Sequence, residues 1–577
     1  MTPHNLSLIT TFLLVFATAI GGGTIARVLK QPTILGYIAA GVLIGNLASG
    51  IIDHVTLQGI AEIGVTLLLF TLGVEFSFFR LRKVLRSVLF PAILQVLVSF
   101  IVFLVLSMGL GIGILPSLFM AAAFSLSSTA VVVKILSERG ELETVPGEVA
   151  TGWLVVQDIA VIPIMILLPT IVAVVQKPDT SVVSAVLSIL LGILVAGLTI
   201  GIVLLLGKQG IPRLLKAAAA VGSREILLLT TVAVVFLSAV VFYATGLSAA
   251  LGAFIAGLII AETSQNHAIF AEIRPLRDLF AVVFFVTLGM TVPLSVVAVF
   301  FPTILILLMA VVFIKWVVVY GLLRFMGYHQ KTAFLVGLSL TQVSEFGFVI
   351  AGVGTGLGAL SGDQYAILVA VTFGALLVST PILASGHGVY YWFARNVGRV
   401  IPKLFTQRDE AATSHGEQYP MEGHIVICGY GRVGKYVGRA LEMASVPFLV
   451  VDYNHQTVKS LREHGIHVVY GDPADKDVLD YAQVDLARAI IIAIPDRHTQ
   501  ELVIGHAQTL NRRIKIICRT HHEEDQARLK SLGVQTIIQP EFEAAIAIVE
   551  RLLPEFGVSL DDVSGKVSRL KIEHGMG

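Results

Sequence analysis

Long apolar stretches follow one another through the first two thirds of the chain, separated by short polar loops. A transmembrane α-helix needs roughly 20 apolar residues, and most of these stretches reach that length. Beyond about residue 395, short apolar runs alternate with amphipathic stretches, as strands and helices do. This pattern predicts an all-α membrane domain of about 13 spans, followed by a soluble, doubly wound Rossmann-like α/β domain. The predicted spans lie near 6–26, 32–52, 57–79, 84–113, 115–137, 148–175, 181–206, 225–245, 247–261, 271–291, 293–323, 331–356 and 364–393.

The composition agrees with this division. The chain is 55% hydrophobic and only 14% charged, whereas soluble domains carry about 25% charged residues. We expect a membrane domain at 1–394, a linker at 395–420, the Rossmann-like domain at 421–545 and a C-terminal extension at 546–577. The net charge of +1 and the lack of a basic tract argue against nucleic acid as a partner.

The loop charges predict the orientation of the spans. Sixteen lysines and arginines fall in loops that share one side of the membrane, and the opposite loops contain Lys177 alone. Such an excess is typical of cytoplasmic loops. The N-terminus is therefore predicted to lie outside and the soluble C-terminal domain in the cytosol.

Polar and small residues interrupt two of the predicted spans. Span five contains the segment 125–129, and span twelve contains the segment 339–347. The two spans are seven positions apart in the series, an odd number, so they run in opposite directions, as in two inverted repeats. Interrupted helices at corresponding positions of inverted halves indicate a transporter binding site near mid-membrane. The alternative is that these hydroxyl residues only hold helices together.

Asp158 lies in the middle of the apolar stretch 153–163. A carboxylate there costs about 2.5–3.5 kcal/mol on insertion scales, which favours a role in cation binding or proton transfer. We expect Asp158 to hold a monovalent cation and a proton in turn, with Gln157 offering a neutral carbonyl beside it. Exchange of one cation for one proton at a single carboxylate moves no net charge. Lys315 is expected either to neutralise Asp158 or to extend to the membrane surface, and Glu345 to have a structural or a site role.

The soluble domain carries a dinucleotide-binding signature. Gly429, Gly431 and Gly434 form the pattern G-x-G-x-x-G between an apolar strand and a helix, and Asp452 ends the next strand. In such folds the glycines let the backbone approach a pyrophosphate, and the acid contacts a ribose. The candidate ligand residues are Gly429, Gly431, Arg432, Val433, Gly434, Asp452, Asp472 and Arg519.

The expected ligand is NAD(H) or AMP, because no arginine near Asp452 is available to accept a 2′-phosphate. Only about thirty residues follow the predicted sheet, too few for a substrate domain. The nucleotide is therefore expected to be a regulatory ligand, and the protein is not expected to be an enzyme. The alternative is an empty Rossmann-like dimerisation module.

The sequence resembles the monovalent cation:proton antiporter-2 family and, within it, the Kef-type potassium efflux systems. The resemblance rests on the pair Gln157-Asp158 before Ile-Ala-Val-Ile-Pro, on the segments 127–130 and 344–346, and on the loop 267–276. It extends over nearly the whole chain. The C-terminal part resembles the potassium-transport nucleotide-binding domain, also called the RCK N-terminal lobe.

The resemblance implies a sodium/proton antiporter-like fold, with Ser128 and Thr129 contributing to the ion site beside Asp158. It also implies a homodimer that transports by alternating access and lies in the lipid of a bacterial inner membrane. It is compatible with an ancillary subunit. Two departures concern gating by glutathione. The Kef loop is more acidic than this one, which retains only Glu272, and His521 stands where Kef proteins have an arginine. Glutathione gating is therefore not expected.

These features predict a secondary antiporter that exchanges a monovalent cation, preferably potassium, for a proton under control of a cytosolic nucleotide. The alternatives are a sodium:proton antiporter, a ligand-gated potassium channel-like system, and a membrane sensor that transports nothing. A channel is expected to carry a carbonyl filter such as Thr-Val-Gly-Tyr-Gly, which the sequence lacks. The buried Asp158 argues against a sensor without transport.

Overall fold

The computed structural model describes residues 3–47, 54–75, 78–142, 144–176, 182–245, 247–396, 421–520 and 525–573. It divides into two compact units. The first comprises Met1–Val132, Val149–Leu322 and Val336–Ala384, and the second comprises Val133–Glu148, Leu323–Leu335 and Ser385–Gly577. Most of the expected linker, from residue 397 to 420, and His521 lie outside the described residues.

Helices alone make up the described secondary structure as far as residue 396. Within the described residues, eight stretches are long and apolar enough to cross a membrane, and four further apolar helices are shorter. The architecture of many apolar helices is as expected, and the number of thirteen spans stays a prediction. The helices are α1 Pro3–Val28, α2 Thr33–Leu47, α3 His54–Glu75, α4 Phe78–Gly109, α5 Ile114–Ser125, α6 Thr129–Glu138, α7 Val145–Val175, α8 Val182–Ala220, α9 Arg224–Ala244, α10 Ala249–Ala261, α11 Asn266–Met290, α12 Leu294–Val299, α13 Phe301–Phe325, α14 Gln330–Ser339, α15 Phe346–Gly356, α16 Gly362–Ala384 and α17 Gly386–Asn396.

Glycines let helices α3 and α10 pack backbone to backbone. A Cβ atom on Gly73 would lie 2.3 Å from the carbonyl oxygen of Phe254, and one on Gly257 would lie 2.2 Å from that of Phe70. Real Cβ atoms do not approach so closely, so both positions need glycine. Close approach through small residues is the usual way in which membrane helices associate. Helices α3 and α10 are therefore in direct backbone contact.

Both interrupted spans are broken helices, as the sequence predicts. Span five consists of α5 and α6, with residues 126–128 non-helical between them. Span twelve consists of α14 and α15, with residues 340–345 between them. Each break leaves two helix ends inside the protein, where backbone groups need other partners.

The second unit contains a six-stranded parallel sheet. The strands are β1 Ile425–Cys428, β2 Phe448–Asp452, β3 Val468–Tyr470, β4 Ala489–Ile492, β5 Lys515–Arg519 and β6 Thr536–Ile538. Their order is β3-β2-β1-β4-β5-β6, and every pairing is parallel. This order is that of the Rossmann fold, with a crevice at the carboxyl ends of β1 and β4 where the order reverses. The predicted doubly wound sheet is confirmed.

Helices connect and follow the strands of this sheet. They are α18 Arg432–Met443, α19 His455–Glu463, α20 Lys476–Tyr481, α21 Arg497–Leu510, α22 Asp525–Ser531, α23 Pro540–Glu555 and α24 Leu560–Glu573. The last two pack on each other through the buried side chains of Ile546, Val563 and Val567. Helix α23 crosses the boundary expected between residues 545 and 546, because its apolar face continues beyond that point.

Candidate ion and nucleotide sites

The two helix breaks of the first unit meet each other. The backbone N–H of Ser344 donates to the carbonyl of Leu126 at 3.2 Å. The hydroxyl of Ser127 donates to the carbonyl of Leu340 at 2.9 Å. All four residues belong to, or directly flank, the non-helical segments, so the breaks satisfy part of each other's backbone hydrogen bonding. The two interrupted spans therefore cross at their breaks.

Lys315 of α13 joins the same two breaks. Its Nζ donates to the carbonyl of Leu126 at 2.6 Å and to that of Gln342 at 2.7 Å. These carbonyls follow the C-terminal ends of α5 and α14, where the helix dipoles concentrate partial negative charge. The ammonium group therefore neutralises two helix ends. The expectation that Lys315 extends to the membrane surface does not fit a side chain that is fully buried.

Asp158 lies in α7 beside the first of these breaks. Its Oδ2 accepts a hydrogen bond of 2.8 Å from the hydroxyl of Thr129, the first residue of α6. A cavity of about 10 Å³ adjoins Asp158, which is room for about one water molecule. The other lining residues are apolar and come from α3, α7 and α10: Leu69, Leu72, Val161, Ile162, Met165, Ala250, Leu251 and Phe254. The carboxylate thus lies between a polar helix end and an apolar wall.

Gln157 faces the break rather than offering an open carbonyl to a cation. Its Oε1 accepts from the backbone N–H of Ser127 at 2.8 Å, and its Nε2 donates to Oε1 of Gln95. Gln95, from α4, in turn donates to the carbonyl of Ser125 at 3.2 Å. Sequence reasoning missed Gln95, although a lone amide in an apolar helix is the same signal that drew attention to Gln157. The two amides anchor the break to α4 and α7.

Ser128 and Glu345 lie at the facing edges of the two breaks. Ser128 is buried, and its Oγ accepts the backbone N–H of Val131 at 3.3 Å. Glu345 occupies the residue directly before α15. The structure therefore gathers Ser128, Thr129, Lys315 and Glu345 around the two breaks, with Asp158 joined through Thr129.

The three glycines of the nucleotide signature have three different roles. Gly429 has a φ of +89°, which favours glycine, and it turns the chain out of β1. A Cβ on Gly434 would lie 2.1 Å from the carbonyl oxygen of Gly429, so this glycine brings α18 against the strand. A Cβ on Gly431 would meet nothing within 4 Å. The open space at Gly431 is where a phosphate can approach the helix N-terminus.

Asp452 braces the glycine turn. Its Oδ2 accepts from the N–H of Tyr430 at 2.6 Å, and its Oδ1 accepts from the N–H of Asn454 at 2.8 Å. Burial raises the pKa of Asp452, and these backbone donors oppose that shift. Each carboxylate oxygen can accept a further hydrogen bond, so a ribose contact remains compatible with this position.

The other candidate ligand residues are spread along the sheet edge. Arg432 and Val433 open α18 directly after the glycine turn. Arg519 ends β5, which β1 and β4 separate from β2 and Asp452. Its carbonyl accepts from Nε2 of Gln500 at 2.9 Å. The structure therefore groups Arg432 and Val433 with the glycines and places Arg519 on the far side of the crevice.

Asp472 lies two residues after the end of β3, and its partner is a lysine that sequence reasoning did not single out. Nζ of Lys331 lies 2.9 Å from Oδ2 of Asp472. Burial alone would raise the pKa of Asp472, but the Lys331 ammonium and its hydrogen bond hold that pKa below its usual value. Burial lowers the pKa of the neighbouring His329 to about 4. Its neutral ring accepts the N–H of Lys331 at 3.2 Å.

A second buried polar cluster lies in the same unit. Ligand atoms of Glu141, His387 and Asp496 lie within 4.8 Å of one another, a set that could hold a metal ion. The guanidinium of Arg139, however, is 2.8 Å from Glu141 and 3.8 Å from Asp496. Asp496 also caps α21 by accepting the N–H of Thr499 at 2.7 Å. The cluster is thus an ion-pair network that already contains its cation.

Comparisons with known proteins agree with this architecture. Residues 13–385 match the transmembrane domain of sodium/hydrogen exchangers, and residues 425–540 match the TrkA-N domain. The chain is 31% identical over 566 residues to Escherichia coli (strain K12) YbaL, named as a cation/proton antiporter, covering 95% of this chain and 98% of YbaL. It is 27% identical over 542 residues to Alkalimonas amylolytica KefB, named as a K⁺ efflux antiporter, covering 94% of this chain and 80% of KefB.

A solved structure supports the fold of the membrane part. The sodium proton antiporter MjNhaP1 of Methanocaldococcus jannaschii aligns with a TM-score of 0.52 and 16% identity, over 67% of this chain and 97% of that protein. The family match covers more than half of the chain, and it coincides with the crossed helix breaks. The chain therefore belongs to the sodium/hydrogen exchanger family and carries a TrkA-N domain in its C-terminal part.

Proposed function

We propose that this protein is a cation:proton antiporter in which Asp158 binds a monovalent cation and a proton in turn. The observation that carries the proposal is the position of the Asp158 carboxylate beside two crossed helix breaks and against a small apolar cavity. A buried carboxylate is stable when it is protonated or when a cation neutralises it. Alternation between these two states couples the two ions.

The exchange is proposed to be electroneutral. Lys315 directs its ammonium group to two backbone carbonyls, where it balances the negative ends of two half-helices. Asp158 then carries the charge that changes during transport. One cation released for one proton bound leaves the net charge of the site unchanged.

Potassium is the proposed cation, and sodium is the second candidate. The name of KefB refers to K⁺ efflux, whereas the matched family is named for sodium. A carboxylate with a threonine hydroxyl can serve either ion, because both prefer oxygen ligands. Measurement with each alkali cation separates the two proposals.

The second unit is proposed to bind a regulatory adenine nucleotide, AMP or NAD(H). The glycine turn, the open space at Gly431 and Asp452 at the end of β2 support this proposal. We place the protein in a bacterial inner membrane as a homodimer, with the nucleotide domain in the cytosol. We assign it no enzymatic activity.

Cation-induced proton movement in everted membrane vesicles tests the antiport. Wild-type protein is expected to move protons on addition of K⁺, and Asp158→Asn is expected to abolish that signal while still reaching the membrane. Asp363→Asn is a matched control, because this carboxylate is exposed at the start of α16. Normal exchange by Asp158→Asn would contradict the proposal.

A further inference from the structure

The crevice of the Rossmann-like domain is already occupied by a side chain from outside that domain. Lys331 lies in the first turn of α14, before the TrkA-N match begins at residue 425. Its side chain is 1% exposed. Nζ reaches Oδ2 of Asp472 at 2.9 Å, the hydroxyl of Tyr391 at 2.6 Å and the hydroxyl of Thr499 at 3.0 Å.

These contacts extend across the carboxyl edge of the sheet. Asp472 follows β3, Tyr453 follows β2, and Thr499 lies in the first turn of α21 after β4. The Lys331 ammonium lies 5.8 Å from the ring centre of Tyr453 and 4.9 Å from that of Tyr391. Since β1 lies between β2 and β4, the ammonium contacts residues on both sides of the position where such folds bind their ligand.

The cavity directly beside Lys331 is too small for a nucleotide. The cavity lined by Lys331, Tyr453, Ile494 and Thr499 has a volume of about 30 Å³. Sites for ligands of nucleotide size are roughly 300–1,000 Å³. Room for a ligand over Asp472 therefore requires Lys331 to leave.

We propose that Lys331, supported by Tyr391, is an internal competitor of the nucleotide, and that an anionic adenine nucleotide binds by displacing Lys331 from Asp472. This inference rests on the nucleotide site proposed above and specifies its regulation. The freed Asp472 can then accept hydrogen bonds from hydroxyl or amino groups of the ligand. Helix α14 ends at Ser339, directly before the break at 340–345, so displacement changes the first turn of a helix that leads to the ion site.

Nucleotide affinity of the full-length protein in detergent tests the competition. Calorimetry with AMP and with NADH is carried out on wild type, on Lys331→Ala and on Lys134→Ala. Lys134 is a matched control in the same unit, since its side chain is 59% exposed and pairs with Glu138. Removal of an internal competitor raises the fraction of binding-competent protein, so Lys331→Ala is expected to tighten binding about tenfold. Lys134→Ala is expected to bind as wild type does.

A loss of packing does not tighten a ligand, so stronger binding distinguishes competition from a purely structural role. Unchanged or weaker binding by Lys331→Ala would overturn the inference, and weaker binding would make Lys331 a phosphate ligand. If wild type and both variants bind neither nucleotide at millimolar concentration, the proposed nucleotide site fails as well. Wild-type binding without tightening refutes the competition alone.

Lys331→Ala leaves Asp472 buried without its cation, so this variant can fail to fold. Acylation of Lys331 in wild-type protein, followed by mass spectrometry, avoids that problem. The buried amine is expected to react slowly without ligand and several-fold faster with AMP, while Lys134 reacts equally in both conditions. Equal or slower acylation of Lys331 in the presence of AMP would contradict displacement.

Discussion

Lys315 connects the carbonyl ends of two half-helices through one ammonium group. Its Nζ donates to the backbone carbonyls of Leu126 and Gln342. A buried carbonyl left without its donor costs about 1–3 kcal/mol. At the scale of single residues, the stability of the crossed breaks therefore depends on this lysine.

Replacement of Lys315 by methionine is expected to lower the thermal midpoint by several degrees in cation-free and in cation-loaded protein alike. The reason is that the two carbonyls lose their donor whether or not Asp158 holds a cation. Thermal unfolding in detergent, with Lys134→Met as an exposed control, measures the effect. A loss confined to the cation-free protein would show instead that Lys315 compensates the charge of Asp158.

At the scale of elements, the non-helical breaks position the proposed ion site, and the glycine turn after β1 positions the proposed nucleotide site. In the glycine turn, Gly434 is packed against the carbonyl of Gly429, whereas Gly431 faces open space. The same methyl group added at these two positions should therefore have different consequences.

Gly434→Ala is expected to destabilise the nucleotide domain by about 1–3 kcal/mol, the usual cost of overpacking. Gly431→Ala is expected to leave stability within about 0.5 kcal/mol of wild type, as most exposed substitutions do, and to weaken nucleotide binding. Gly505→Ala is the control, since this glycine of α21 also faces open space. Thermal shift and calorimetry on the three variants check both effects. Nucleotide binding that is unchanged in Gly431→Ala would argue against a ligand at this turn.

The sequence predicts the secondary-structure elements that depend on residues close together in the chain. Polar residues within apolar spans predict both helix breaks, and short apolar runs predict the strands. The breaks at 126–128 and 340–345 lie inside the predicted segments 125–129 and 339–347. The partners of buried polar groups were not predictable in this way. Lys331 and Asp472 are 141 residues apart, and Gln95 and Gln157 are 62 apart. Such pairs depend on how helices pack, which periodicity does not specify.

At the scale of the whole molecule, the proposed ion site and the proposed nucleotide site lie in different units. Asp158, Thr129 and Lys315 lie in the first unit, and the glycine turn, Asp452 and Asp472 lie in the second. A nucleotide can therefore change the populations of transport states without contacting the cation.

We expect AMP to change the rate of exchange and to leave the ratio of K⁺ to Na⁺ rates unaltered. Proton flux in proteoliposomes, with each cation and with AMP present or absent, measures both quantities. An altered cation ratio on addition of AMP would mean that the second unit contributes to the ion pathway.

Proton release on cation binding tests the shared site at Asp158 most directly. K⁺ is added to purified, weakly buffered protein, and released protons are compared with bound cation from calorimetry. At pH values where the free carboxyl is protonated, wild type and Asp363→Asn are predicted to release one proton per cation bound, and Asp158→Asn none. Cation binding by wild type without proton release, or undiminished release by Asp158→Asn, would contradict a site that the two ions share.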